Sequence, residues 1–378
     1  MIKTSVLRVR GILALFLMFF NICVFGQIIN PWTNTQVKIS NNCKIVDNGI
    51  FQGLNAKYGV YAHKGHGHRY KALPFLFLPS EKKDAPNLII LNGGPGVSNL
   101  RAPEGVDSLL NYFNILIPGY RGVDDCLIDS YEELDKKQNS HTISLISKDI
   151  SNIAAALKFE SVYVAAHSFG SIYACNYLLM EDGVDKKSIF VSPIMTQDIA
   201  TVLNKMEQMV EKYFSNYRNG SEKYNNVLTE IENSSDPEQL SMALVIFLSE
   251  FQNGYKIDSI LESKGSIVGL LQNTHNSYKY TINAIEKQDK LSSYFNFNDT
   301  TGFSNLGKLG KLLLKYFVNE VQPNTSPFHM FKYCTPDTTI SAYYDYSVCF
   351  NDKVIENTGH SDIWSKAWRY IIDFYNNQ

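Results

Sequence analysis

The sequence has no uninterrupted apolar run of the roughly 20 residues needed to cross a bilayer. Its one long apolar run, Gly11 to Phe25, stops at 15 residues. It also has no Cys-x-x-Cys pair, so nothing in it suggests a zinc site or a dithiol redox centre, and no cofactor is expected. Neither charge dominates: 35 Lys and Arg stand against 37 Asp and Glu, for a formal net charge of −2. That balance argues against nucleic acid as a partner. Without internal repeats or low-complexity segments, solenoid, fibrous and disordered classes are excluded as well. What is present is a chain of 378 residues, 44% hydrophobic and 19% charged, able to bury a large core as one big domain or two moderate ones.

Lys3, Arg8 and Arg10 precede the apolar run, which ends in Val24-Phe25-Gly26. This is the pattern of a secretory signal peptide over residues 1–26. Cleavage would leave a secreted or periplasmic protein with no stable membrane insertion and three fewer positive charges. Cys43, Cys126, Cys175, Cys334 and Cys349 remain after it. The compartment permits disulfides, but an odd number leaves at least one thiol unpaired in a monomer. Cys175, on an apolar helix, is the expected free one. Asn219, Asn233, Asn298 and Asn324 stand in N-x-S/T sequons, which matter only in a eukaryotic secretory route.

The most informative stretch is Ser161 to Met180. Val162 to Ala166 reads as a strand buried on both faces, and a helix-length apolar segment follows. Between them, Ala166-His167-Ser168-Phe169-Gly170 fits the nucleophile elbow G-x-S-x-G with Ala in place of the first Gly. The plain alternative is an ordinary strand, loop and helix with a capping serine. About 75 residues earlier, the run Asn87 to Leu91 ends in Asn92-Gly93-Gly94-Pro95-Gly96, whose bare backbone lets N–H groups approach a ligand. In an α/β-hydrolase such a loop and the residue after the nucleophile supply the oxyanion hole, which makes Gly94 and Phe169 the candidates.

Strands at Lys57 to Ala62 and Lys71 to Leu78 flank the turn His63 to Arg69, whose three histidines lack the carboxylate or cysteine a metal site needs. Gly105 to Tyr112, Phe113 to Ile117, Ser144 to Lys158 and Ser188 to Ser192 complete a βαβα alternation. It predicts a mostly parallel sheet with helices on both faces. From Pro193 to about Pro327 strand-like runs vanish, and a helical cap over 195–327 is expected between two parts of the core, 27–194 and 328–378. The sheet is predicted to resume at His329 to Cys334 and to close at Lys353 to Glu356 before a last helix, Ser361 to Tyr375.

Asn92-Gly93-Gly94-Pro95-Gly96, Tyr120-Arg121-Gly122, Ala166-His167-Ser168-Phe169-Gly170 and Thr358-Gly359-His360 occur in the order seen in the proline iminopeptidase and tripeptidyl aminopeptidase family. The chain resembles a secreted member of it over roughly Tyr58 to Ile194 and Phe328 onward. The resemblance implies an α/β-hydrolase fold, an aminopeptidase-like serine hydrolase, Ser168 as nucleophile and His360 as its histidine. The chain departs from the family's pattern at Asn92, where His is usual, at Ala166, where Gly is usual, and at Gly119, Asp124 and Cys126, where D-x-R-G-x-G-x-S supplies Asp, Gly and Ser.

A serine hydroxyl needs a histidine to take its proton and a carboxylate to orient that histidine. On this fold the chain order is Ser, acid, His. His360 follows the last strand; His167 stands beside the nucleophile but points away through the elbow. Asp337, after the run His329 to Cys334, is the first choice of acid, with Asp345 and Asp198 as alternatives. In the cap, Glu207 and Glu211 lie one helical turn apart, either as a solvated pair or as carboxylates for a substrate's amino terminus. The expected partner is a small peptide, amide or ester. A non-peptidase ester or amide hydrolase, or a binding protein with a degenerate hydrolase site, are the competing readings.

Overall fold

The computed structural model describes residues 27–29, 32, 36–38, 43–64, 70–93, 98–121, 123–124, 143–193, 199–250, 259–260, 266–275, 301–320, 336–344, 353–360 and 363–378. The signal-peptide reading of residues 1–26 lies outside them, as do Gly94, His66 and His68. Among the described residues no helix is long and apolar enough to cross a membrane, and no cluster of His, Cys, Asp and Glu is arranged to hold a metal.

Two short strands, β1 (Gln27–Ile29) and β2 (Gln36–Lys38), pair antiparallel. Nine more form one sheet: β3 (Cys43–Phe51), β4 (Leu54–Lys64), β5 (Tyr70–Leu78), β6 (Asn87–Leu91), β7 (Asn114–Pro118), β8 (Ser161–His167), β9 (Asp185–Val191), β10 (Thr338–Tyr344) and β11 (Lys353–Gly359). Their spatial order is β11-β10-β9-β8-β6-β7-β5-β4-β3. From β7 to β11 every pairing is parallel, while β3, β4 and β5 join as antiparallel hairpins at one side.

The parallel strands read as continuous apolar runs because both of their faces are covered. On β6, Leu88 and Ile90 enter one core cluster, and Ile89 and Leu91 enter the other. The first face packs against α1 (Val106–Leu110) and the C-terminal helix α8 (Trp364–Asn376), through Leu109, Trp364, Ala367 and Ile371. The second packs against α2 (Ile143–Ala156) and α3 (Gly170–Leu178), through Ile146, Ile150, Ile153, Ile172 and Ala174. After β6 the chain moves outward to β7 and returns through α2 to β8 on the other side of β6. The carboxyl ends of β6 and β8 therefore diverge at a topological switch point, where open α/β sheets place their ligands. This is the α/β-hydrolase fold that the motif order implied.

Between β9 and β10 the described residues include α4 (Ile199–Ser215), α5 (Gly220–Glu232), α6 (Pro237–Glu250) and α7 (Lys308–Glu320). The apolar stripe of α4, from Ile199 through Leu203, Met206 and Val210 to Phe214, repeats at helical spacing and joins the α2 and α3 core.

Two expectations need correction. Cys175, fully buried on α3, is disulfide-bonded, and among the described residues the free thiol is Cys43. A small buried helical position suits a half-cystine as well as a packed thiol, so spacing alone did not separate the two. The penultimate strand begins after Asp337, at Thr338; the run His329 to Cys334 lies outside the described residues.

Candidate active site

β8 ends at His167, and Ser168 then takes φ +52°, a left-handed conformation that costs a residue with a side chain about 1 kcal/mol or more. The surroundings enforce it. Ser168 N donates to Val191 O at 3.0 Å, and Ser168 O accepts from Ser171 Oγ at 2.6 Å and Ser171 N at 3.1 Å in the first turn of α3. A strained serine between a central parallel strand and a helix is what distinguishes an elbow from an ordinary capped helix. Ala166 departs from the usual Gly without harm, because its methyl group is fully buried in the core.

The loop after β6 comes up against this serine. A Cβ on Gly93 would lie 2.4 Å from Ser168 Cβ, so only glycine fits there. Asn92 replaces the histidine usual in the resembled family and serves as a strut. Its amide donates to Asn99 O at 3.1 Å and Arg101 O at 3.2 Å, and its backbone N–H donates to Asn99 Oδ1 at 2.7 Å. Tyr120 closes the loop from the other side, donating its hydroxyl to Asn92 O at 2.7 Å.

The neighbouring loop after β7 explains a second departure. The Asp124 carboxylate accepts from Ser98 Oγ at 2.5 Å, Asn99 N at 3.2 Å and Tyr120 N at 2.6 Å, tying the β6 and β7 loops together. A Cβ on Gly119 would sit 2.5 Å from Pro74 O and 2.8 Å from Asp124 Cβ. The β5 backbone by itself keeps 119 free of a side chain, and Asp124 packs into the space beside it. Below them, Arg121 grips Asp149 of α2 with two buried bonds, Nε at 2.7 Å and Nη2 at 2.5 Å.

His360 arrives from the other end of the chain. It directly follows β11, is 2% exposed, and sets Nε2 2.7 Å from Ser168 Oγ. With Nε2 unprotonated, the serine hydroxyl donates to it, which is the arrangement for proton transfer during attack. Its backbone is held on both sides: His360 N donates to Ser249 O of α6 at 2.5 Å, and His360 O accepts from His167 Nε2 at 2.8 Å. Phe169 is the N-cap of α3, where peptide N–H groups emerge from the helix end beside the nucleophile. Gly94, the other oxyanion candidate, lies outside the described residues.

Asp337 is not part of this constellation. It stands at the amino end of β10, where its Oδ2 accepts from Ser188 N at 2.6 Å and Ser188 Oγ at 3.0 Å. His360 lies at the carboxyl end of the adjacent parallel strand. At about 3.3 Å per residue, the seven residues of β10 put the two more than about 20 Å apart. Asp345 and Asp198 both lie outside the described residues. By chain order Asp345 directly follows Tyr344, whose partner in the register is Gly359, the residue before His360.

Glu207 and Glu211, one helical turn apart on α4, have different surroundings. Glu207 is buried and accepts from Gly307 N at 2.9 Å and Leu309 N at 3.1 Å, capping the start of α7. Glu211 is exposed; partial burial, then the Glu207 charge, raise its carboxyl above the ordinary glutamate value. Four supports of the site were not foreseen: Asp124, Asn99, Ser249 and the contact from His167. Only Asp124 left a trace in the sequence, as a carboxylate where the motif carries glycine.

An elbow serine, a histidine against its hydroxyl and a glycine loop at the switch point define the molecule as an α/β-hydrolase in architecture. No protein-family model and no curated protein matches the sequence. Solved structures similar to it include a serine hydrolase from the polyaromatic hydrocarbon-degrading bacterium Cycloclasticus zankles, at 10% identity and a TM-score of 0.40 over 85% of this chain and 98% of that one. A proline iminopeptidase-related protein from Thermus thermophilus is 13% identical at a TM-score of 0.41, over 84% of this chain and 95% of that one. An esterase from Rhodococcus sp. is 8% identical at 0.41, over 84% and 98%.

Proposed function

We propose that this protein is a serine hydrolase of small acyl compounds, working outside the cytoplasm once residues 1–26 are removed. The observation that carries the reading is the 2.7 Å approach of His360 Nε2 to the hydroxyl of a serine held at φ +52°. Ser168 Oγ attacks the substrate carbonyl as His360 takes its proton, and the N–H groups of Phe169 and Gly94 receive the oxyanion. The carboxylate that orients His360 is drawn from the loop after β10, where Asp345 comes first. The helices between β9 and β10 act as a cap that favours short substrates over intact proteins. The degenerate-site reading loses its motive, since Ala166 and Asn92 both support the elbow and its loop.

Within this class the motif order favours an aminopeptidase-like enzyme cleaving short peptides. One observation favours the second reading, an ester or amide hydrolase indifferent to a free amino terminus: Glu207 is committed to the start of α7 and does not wait for an ammonium group. A fluorophosphonate probe tests the class, because it labels only an activated serine. Labelling of the wild type and not of Ser168→Ala is expected; an unlabelled wild type, or a labelled Ser168→Ala protein, refutes it. Rates on a dipeptide amide, its N-acetyl form and a short-chain ester then separate the two readings, since an aminopeptidase rejects the acetylated substrate.

A further inference from the structure

We propose that His167 is a positioning residue for His360, a role that rests on the serine hydrolase reading above. Among the described residues β11 is the edge strand of the sheet, paired with β10, and His360 lies just past its end. The last described register pair there is Tyr344 with Gly359, and the peptide groups of His360 bond to groups from other elements. Its N–H donates to the carbonyl of Ser249, and its carbonyl meets the imidazole of His167 at 2.8 Å. A carbonyl oxygen only accepts, so His167 carries a proton on Nε2 and donates it.

His167 is well placed to hold something still. It ends β8, in the middle of the sheet, and is 5% exposed. Its ring lies 5.0 Å from the His360 ring and 6.1 Å from Trp364 of α8, centroid to centroid. The side chains of His167 and Ser168 meet the same residue. Ser168 Oγ reaches the His360 ring and His167 Nε2 reaches the His360 main chain. Because 167 and 168 are joined by one rigid peptide, about 3.8 Å between Cα atoms, the distance from nucleophile to base is set by a single short strap. A displacement of about 1 Å at such a pair costs on the order of a hundredfold in rate.

The test is the kinetics of fluorophosphonate labelling of the full chain, which separates probe binding from the rate of attack. His167→Leu removes the donor and keeps the bulk, whereas His167→Gln places an amide N–H close to the position of Nε2. We expect His167→Leu to lower the limiting labelling rate about 30- to 100-fold with half-saturation changed less than about twofold. His167→Gln is expected to return the rate to within about fivefold of wild type. A His167→Leu protein that labels at the wild-type rate overturns the proposal, as does a His167→Gln protein as slow as His167→Leu. Should His167→Leu show no cooperative unfolding, His167→Asn, whose amide stops one carbon short, takes its place in the same comparison. An unlabelled wild type marks instead the failure of the serine hydrolase reading.

Discussion

The two ends of the site are assembled in different ways. Ser168 is held by what lies next to it: the end of β8, the first turn of α3, the glycine loop after β6 and the neighbouring strand β9. His360 is held from a distance, by α6 through Ser249 and by His167, 193 residues away in sequence. A nucleophile can be built from one strand, one turn and one helix, because its strain is local. A base at the edge of a sheet has to be fixed by long-range contacts, and those follow only from the whole fold.

The largest test of this contrast is His360→Ala. If the distant residue is half of one catalytic unit, its loss should match that of Ser168→Ala, on the order of a millionfold in turnover. A His360→Ala enzyme within tenfold of wild type would leave the nucleophile end working by itself. The acid comes next. Asp345→Asn is expected to lower turnover about 10⁴-fold, as loss of a triad carboxylate does. Asp337→Asn should leave turnover within a few fold and cost roughly 1–3 kcal/mol of stability through its bonds to Ser188. Steady-state rates and denaturant midpoints of the two variants decide it, and the reverse outcome would restore Asp337 to the site.

Smaller effects sharpen the comparison away from Ser168 and His360. Glu207→Ala leaves two N–H groups at the start of α7, the buried one of Leu309 among them, without their acceptor and should cost about 1–2 kcal/mol in denaturant unfolding. An unchanged midpoint would make that cap irrelevant to stability. The least effect is expected at Asp182. Burial alone would raise its carboxyl, but bonds from Lys186, Ser151 and the Val184 N–H, with the Lys186 charge, bring it below the ordinary value of 3.8. A carboxylate lowered on folding stabilises above its unfolded value, and that contribution is lost as pH falls through the folded one. Asp182→Asn should therefore lower the thermal midpoint at pH 7, and the difference from wild type should shrink as pH falls below the ordinary value of 3.8 through the lower folded one. Parallel curves at all pH values would contradict this.

What was legible follows the same division. β6, β8, α2 and α8 were readable to within a few residues, since continuous apolar runs and helical stripes report burial locally. Ser168 and His360 were readable because an elbow and a histidine after the last strand are positional signatures. Asp337 was the first choice of acid because the penultimate strand was read at His329 to Cys334; with β10 starting at Thr338 that carboxylate stands at the amino end of the strand instead. Cys175 was misread because pairing depends on where a second cysteine lies in space. The reasons for Gly119 and Asp124 were not legible either, because the Pro74 carbonyl beside the one and the donors around the other come together only in the fold.

The bond from His360 N–H to Ser249 O has a consequence for how such enzymes diversify. A cap that merely shades the cleft could be exchanged between relatives like an interchangeable part, altering substrate choice and nothing else. Here the transplanted piece would also have to bring a helix-end carbonyl to the same point. Under the proposed function, truncation of α6 or a chimeric cap would otherwise remove an acceptor from His360, so selectivity and turnover would be inherited together.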